Sequence, residues 1–131
     1  MFPVSNRDNR LGLKEIAVGL ENEELSKAYK LQDIEKLKVI NDQFNNKSVT
    51  LFSLHPIMAR LFDPLVNGQT LLFRYNFTNN TFTDKQTGSQ WDFEGKSIEG
   101  PMKGKQLLRL PFDEGYWFEW AAFHPGTKVY S

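Results

Sequence analysis

From residue 45 to residue 111 a turn signal interrupts the chain every few residues. Asn45-Asn46, His55-Pro56, Asp63-Pro64, Asn67-Gly68, Asn79-Asn80, Gly88, Gly95, Gly100-Pro101, Gly104 and Pro111 follow one another. Asn and Gly accept positive φ, and Pro cannot donate to a ladder, so these positions end regular structure. Only short extended runs fit between them. The clearest is 69–77, where Leu71, Phe73, Tyr75 and Phe77 alternate with Leu72, Arg74 and Asn76. Further strands are expected over 13–20, 38–44, 48–54, 59–62, 81–84, 90–93 and 106–110, with a last edge strand over 127–130. Residues 25–31 read as a strand, although Glu, Leu, Lys and Ala make a helix the rival there. Two helices are expected. One is a short turn over 33–37 with Asp33 near its N-terminus. The other covers 113–123, with Asp113 and Glu114 at its start, an aromatic face of Tyr116, Trp117, Trp120 and Phe123, and Pro125-Gly126 past its end.

The expected fold is mainly β: one compact antiparallel domain, barrel-like or sandwich, with a short helix near 33–37 and a C-terminal helix near 113–123. Residues 1–11 read as an extended lead-in to that single domain, 1–131, which is expected to be a fragment or terminal half of a larger protein. Its 131 residues suffice for a core. Sixteen Lys and Arg balance sixteen Asp and Glu, and no basic stripe occurs, so phosphate neutralisation on nucleic acid is not expected. No apolar run approaches the roughly 20 residues of a membrane helix, so membrane insertion is not expected either. There is no cysteine, which removes disulfides, thiolate nucleophiles and zinc–thiolate sites. The expected partner is a protein or a flanking domain, and no cofactor is expected. Composition leaves the compartment open.

The densest polar cluster is Asp84-Lys85-Gln86-Thr87-Gly88-Ser89-Gln90-Trp91. On one reading Asp84, Thr87 and Ser89 hydrogen-bond turn amides while Trp91 fills the core. On the other they line a small polar pocket floored by the indole. His55 and His124, each before a proline, would add to such a site if they met it, with Asp63 or Asp84 completing a metal set. The competing reading makes them a strand end and a helix C-cap. Metal and catalytic residues are assigned to none, because no spacing matches a metal motif or the Gly-x-Ser-x-Gly nucleophile elbow. A Ser89–His124–Asp triad and a glycosidase pair among Asp84, Asp92, Glu94 and Glu99 are the weighed catalytic options. Asp92, Glu94 and Glu99 otherwise read as a solvated face. The acceptor patterns at Asn46, Asn76 and Asn79 are expected accidents of an Asn-rich chain.

Four blocks together resemble the prokaryotic family of domains of unknown function numbered 3179. They are 38–42 with Asn41-Asp42, 59–63 with Ala59, Phe62 and Asp63, 84–91 followed by Gly95, Ile98, Gly100-Pro101 and Gly104, and 117–120 followed by 124–129. They run in family order over about residues 12–130. Two departures stand out. Where many members carry Cys-Pro-Leu-Cys, this chain has Ser53-Leu54-His55-Pro56. Leu37 occupies the place of a histidine before the Asn-Asp pair. The resemblance implies a fold; the family's activity is itself undefined.

Overall fold

Two asparagines close the hairpin of residues 39–54. Asn45 and Asn46 take φ of +53° and +62°, the left-handed pair that matches a tight turn to the twist of its strands. This computed structural model describes residues 15–22, 25–54 and 58–130. The lead-in expected over 1–11 and the break at His55-Pro56 lie outside them. The elements begin with β1 Ile16–Glu21, β2 Ser26–Lys30, α1 Leu31–Leu37, β3 Val39–Phe44, β4 Lys47–Leu54 and β5 Met58–Asp63. Next come β6 Leu65–Val66, β7 Gln69–Thr70, β8 Phe73–Asn76, β9 Thr81–Asp84, β10 Gln90–Trp91 and β11 Ser97–Glu99. The chain ends with β12 Leu108–Leu110, β13 Asp113–Tyr116, α2 Trp117–Phe123 and β14 Lys128–Val129. The fold is mainly β, and among the described residues no sheet closes into a barrel. The chain divides into two compact units, Ile34–Leu110 and the chain ends up to Asp33 and from Pro111.

In the unit 34–110, one sheet has the order β12-β5-β4-β3 and another β11-β10-β9-β8, with β6-β7 as a separate ribbon. Phe52 and Phe62 from the first sheet meet Phe73, Phe82 and Trp91 from the second. Phe52 stacks on Phe82 at 3.9 Å between ring centroids and meets Phe73 edge-on at 5.2 Å, so the aromatic layer joins the sheets. Each such ring stabilises by about 1.5–3 kcal/mol through burial.

The strand expected over 69–77 is broken. Thr70 ends β7, Phe73 starts β8, and Phe77 sits in a turn, 75% exposed. Side chains take over the backbone between the two strands. The Gln86 amide accepts from Leu72 N–H and donates to Thr70 C=O, while Lys85 N–H donates to Leu72 C=O. The Asn41 amide accepts from Phe73 N–H at 2.9 Å and donates to Phe73 C=O at 2.8 Å, as a neighbouring strand would.

In the unit formed by the chain ends, the sheet order is β13-β1-β2-β14, with β14 parallel to β2. Residues 26–30 resolve the strand–helix rivalry as strand, because Ala28 and Tyr29 are fully buried while paired with β1. Trp117, Trp120 and Ala121 of α2 pack on Ala17 and Ala28. Gly19 makes room for the Trp120 ring: a Cβ there would lie 2.3 Å from it. The C-terminal helix starts later than the 113 expected. Residues 113–116 pair with β1 instead, with Gly115 opposite Ala17, and a glycine there would cost a helix interior about 1 kcal/mol relative to alanine.

Candidate functional site

The Asp84–Trp91 segment is the connection from β9 to β10. Asp84 N–H donates to Ser89 C=O at 3.2 Å, and Gly88 N–H, at a residue with φ of +73°, donates to Asp84 C=O at 2.9 Å. This closed turn aims the side chains at one another. The Asp84 carboxyl accepts from Thr87 N–H at 2.5 Å, from Thr87 Oγ1 at 2.8 and 2.9 Å, and from Trp91 Nε1–H at 2.8 Å. Thr87 has one hydroxyl proton and gives it to Asp84. The 2.7 Å contact between Thr87 Oγ1 and Ser89 Oγ therefore takes its proton from Ser89. Ser89 Oγ in turn accepts from Met102 N–H at 2.9 Å. The donors run in one direction, from Met102 through Ser89 and Thr87 to Asp84, with Trp91 arriving from the other side.

Asp84, Ser89 and Trp91 are fully buried, and Thr87 is half-buried. The indole stands edge-on to Phe73 at 5.7 Å and belongs to the aromatic core. Gly100 covers Ser89: it takes φ of +99°, and a Cβ there would lie 2.7 Å from the Ser89 backbone.

The sequence candidates are only partly brought together. Asp84, Thr87, Ser89 and Trp91 form one hydrogen-bonded cluster. His124 belongs to the other unit. Its ring stacks on Trp120 at 3.7 Å, with Nδ1 3.1 Å from the Trp120 carbonyl and Nε2 2.5 Å from Glu21 Oε2. Trp120 Nε1–H donates to Thr127 Oγ1 at 3.0 Å. His55 lies outside the described residues. The acidic residues after the turn serve separate ends. Asp92 Oδ1 accepts from Glu94 and Lys96 N–H, bracing a turn. Glu94 pairs with Arg60 Nε at 2.8 Å, and Glu99 is exposed on β11. Among the described residues, no group of three or more His, Asp or Glu is placed to hold a metal ion.

Three polar side chains named in the sequence blocks have roles that sequence reasoning did not assign. Asn41 and Gln86 hold the β7–β8 break. Gln90 Oε1 accepts from Thr81 Oγ1 at 2.6 Å, Thr83 Oγ1 at 3.0 Å and Asn76 Nδ2 at 3.4 Å. The alternating hydroxyls of Thr81-x-Thr83 were the available signal for Gln90. A hollow of about 230 Å³ between β3, β4 and residues 70–72 is lined by Asn41, Asp42, Gln43, Ser48, Thr50 and Leu72 among others. Thr50 Oγ1 and Ser53 Oγ, both on β4, are buried without a hydrogen-bond partner among the described residues. In the other unit, a hollow of about 200 Å³ lies between β13 and α2.

No helix among the described residues is long and apolar enough to cross a membrane. Compared with curated proteins and with solved structures, the chain shows no match. The model of the family described as "Protein of unknown function (DUF3179)" matches residues 1–127. That match spans nearly the whole chain and includes the blocks that hold Asn41, Asp63, Asp84, Trp91 and Trp117, so the chain belongs to the DUF3179 family.

Proposed function

We propose that this chain is a non-catalytic binding or structural β domain, and that the Asp84–Trp91 segment braces its fold instead of handling a substrate. The observation that carries this reading is the closed hydrogen-bond circuit around Asp84. A nucleophile or general base must reach a substrate, whereas Ser89 and Asp84 are fully buried and their hydrogen bonds are made to neighbours. The other family blocks support the same reading. Asn41 fastens Phe73, Asp63 Oδ1 accepts from Leu65 N–H at the following turn, and Thr127 holds the Trp120 indole. The balanced charge supports a protein partner or flanking domain over a nucleic acid.

The competing reading keeps a small-molecule or metal-binding site, catalytic or not, around the same segment. Thermal melting separates the two. The protein is melted alone, with divalent transition metals and with a panel of metabolites, as wild type and as Ser89→Ala. A ligand at a hundred times its dissociation constant adds about 2.7 kcal/mol of stability, a shift of several degrees in a chain of this size. The bracing reading expects a lower baseline for Ser89→Ala and no ligand-dependent shift in either protein. A ligand that raises the wild-type midpoint and loses that effect in Ser89→Ala would overturn it.

A further inference from the structure

The hollow between β13 and α2 is lined by apolar and acidic residues together. Ala17, Gly115, Tyr116, Trp120 and Phe123 line it with Asp113, Glu114 and Glu119, and His124, which pairs with Glu21, completes the lining. Tyr116 is 44% exposed although its ring already stacks on Phe118. Neither Asp113 nor Glu119 has an ion-pair partner among the described residues, whereas Glu21, Glu94 and Glu15 are all engaged. A protein of zero net charge thus concentrates unpaired negative charge beside exposed aromatic surface. At about 200 Å³ the hollow is smaller than the roughly 300–1,000 Å³ of sites for drug-sized ligands, and suits a single long side chain.

The backbone beside it says what carries that side chain. β13 is the end strand of its sheet, and among the described residues no strand pairs with its outer side. Trp117 N–H donates to Glu15 C=O, so antiparallel alternation turns the N–H and C=O groups of Glu114 and the N–H of Tyr116 outward, while the Tyr116 C=O is taken up by the first turn of α2. Unpaired edge groups next to a side-chain hollow fit an added strand with one anchored residue.

We propose that β13 receives an extended segment of a partner polypeptide, whose arginine side chain enters the hollow between Tyr116, Trp120, Asp113 and Glu119. Arginine suits it better than lysine, because a planar guanidinium forks onto carboxylates and stacks on aromatic faces at once. The proposal rests on the reading of this chain as a binding domain and names the partner's chemistry. Its failure leaves the bracing role of Asp84 untouched, since that role is tested at other residues.

Isothermal titration with the whole chain provides the test. The probe is the peptide acetyl-Thr-Val-Arg-Val-Thr-amide, compared with its citrulline version, which keeps the shape and loses the charge, and with acetyl-arginine amide. The arginine peptide is expected to bind about tenfold more tightly than either comparison compound. Asp113→Asn with Glu119→Gln is expected to remove that preference, and Tyr116→Ala to weaken binding. Glu99→Gln, which removes one carboxylate charge at an exposed residue of the other unit, is expected to leave it intact. Circular dichroism and melting confirm that each variant is folded. Equal binding of the arginine and citrulline peptides would overturn the proposal, as would no binding at about 10 mM peptide. Acetyl-arginine amide binding as tightly as the peptide would overturn it too, because the occupant would then be a small guanidinium compound and not a strand. Association of the chain with itself, lost in the double variant, would assign the hollow to a second copy and sink the partner-peptide assignment.

Discussion

Asp84 holds its carboxyl group wholly inside the protein, with two N–H groups and a hydroxyl aimed at it and, among the described residues, no cation in ion-pair range. An amide cannot copy this. Asp84→Asn must turn an NH₂ toward either Trp91 Nε1–H or Thr87 N–H, leaving a buried donor without an acceptor. The expected loss is about 2 kcal/mol, read as a lower urea midpoint at unchanged slope. Trp91→Phe removes the same bond from the other end. The two changes combined are expected to cost less than their sum, with a coupling of about 1 kcal/mol or more in a double-mutant cycle. Strict additivity would mean that the indole–carboxyl bond contributes nothing. Two glycines of the same region separate backbone strain from packing. Gly88 has positive φ and open space around it, so Gly88→Ala should cost only the left-handed penalty of about 1 kcal/mol. Gly100 has positive φ and the Ser89 backbone against it, so Gly100→Ala should cost about 3 kcal/mol or more. Equal losses at the two positions would show that Ser89 can move away, and that the cover over the circuit is loose.

At the scale of elements, the break between β7 and β8 depends on two side chains from outside it, Asn41 and Gln86. Asn41→Ala leaves Phe73 N–H and C=O without their partner. Because Asn41 is itself exposed, water replaces part of the loss, and the expected cost is about 1 kcal/mol. The sharper readout is hydrogen exchange, where the Phe73 amide should lose protection while the amides of β4 keep theirs. Unchanged protection at Phe73 would mean that the Asn41 bond does not hold the strand. This element also marks the limit of what the residue pattern conveys. Short strands, the Asn45-Asn46 turn and the helix over 33–37 were legible because their causes are local: φ preference, alternation, a charge near a helix end. The single strand expected over 69–77 failed because what interrupts it comes from Asn41 and Gln86, which alternation within 69–77 does not contain. The start of α2 failed likewise, since 113–116 read as a helical first turn until β1 supplies the pairing. For the Asp84 cluster, the sequence identified the members but not the direction of their hydrogen bonds. That direction follows from Thr87 giving its one proton to the Asp84 carboxyl, and the donor at the far end, Met102 N–H, lies thirteen residues beyond Ser89.

At the scale of the whole molecule, the two units differ in how the chain builds them. The unit 34–110 is continuous, whereas the other is assembled from both ends of the chain. Bringing those ends together closes a loop of the intervening residues. For a flexible loop of that length the entropic cost is about 4 kcal/mol, a large share of the 5–15 kcal/mol by which domains are stable. While 34–110 is folded, its two ends are held at a fixed separation and that cost is already met. Once it unfolds, the cost falls on the end-built unit. The dependence therefore has a direction: the end-built unit is not expected to outlast the continuous one. The tryptophans make this measurable, because Trp91 reports on 34–110 while Trp117 and Trp120 report on the chain ends. In urea, a Trp91→Phe variant gives the transition of the end-built unit. A variant with Trp117→Phe and Trp120→Phe gives that of the continuous unit, with far-UV circular dichroism on both proteins to correct for any change in stability. The end-built transition should fall at or below the urea concentration of the other. If it falls above, the strands β13, β1, β2 and β14 with α2 hold together without the closed loop, and sequence continuity does not set the order in which this molecule comes apart.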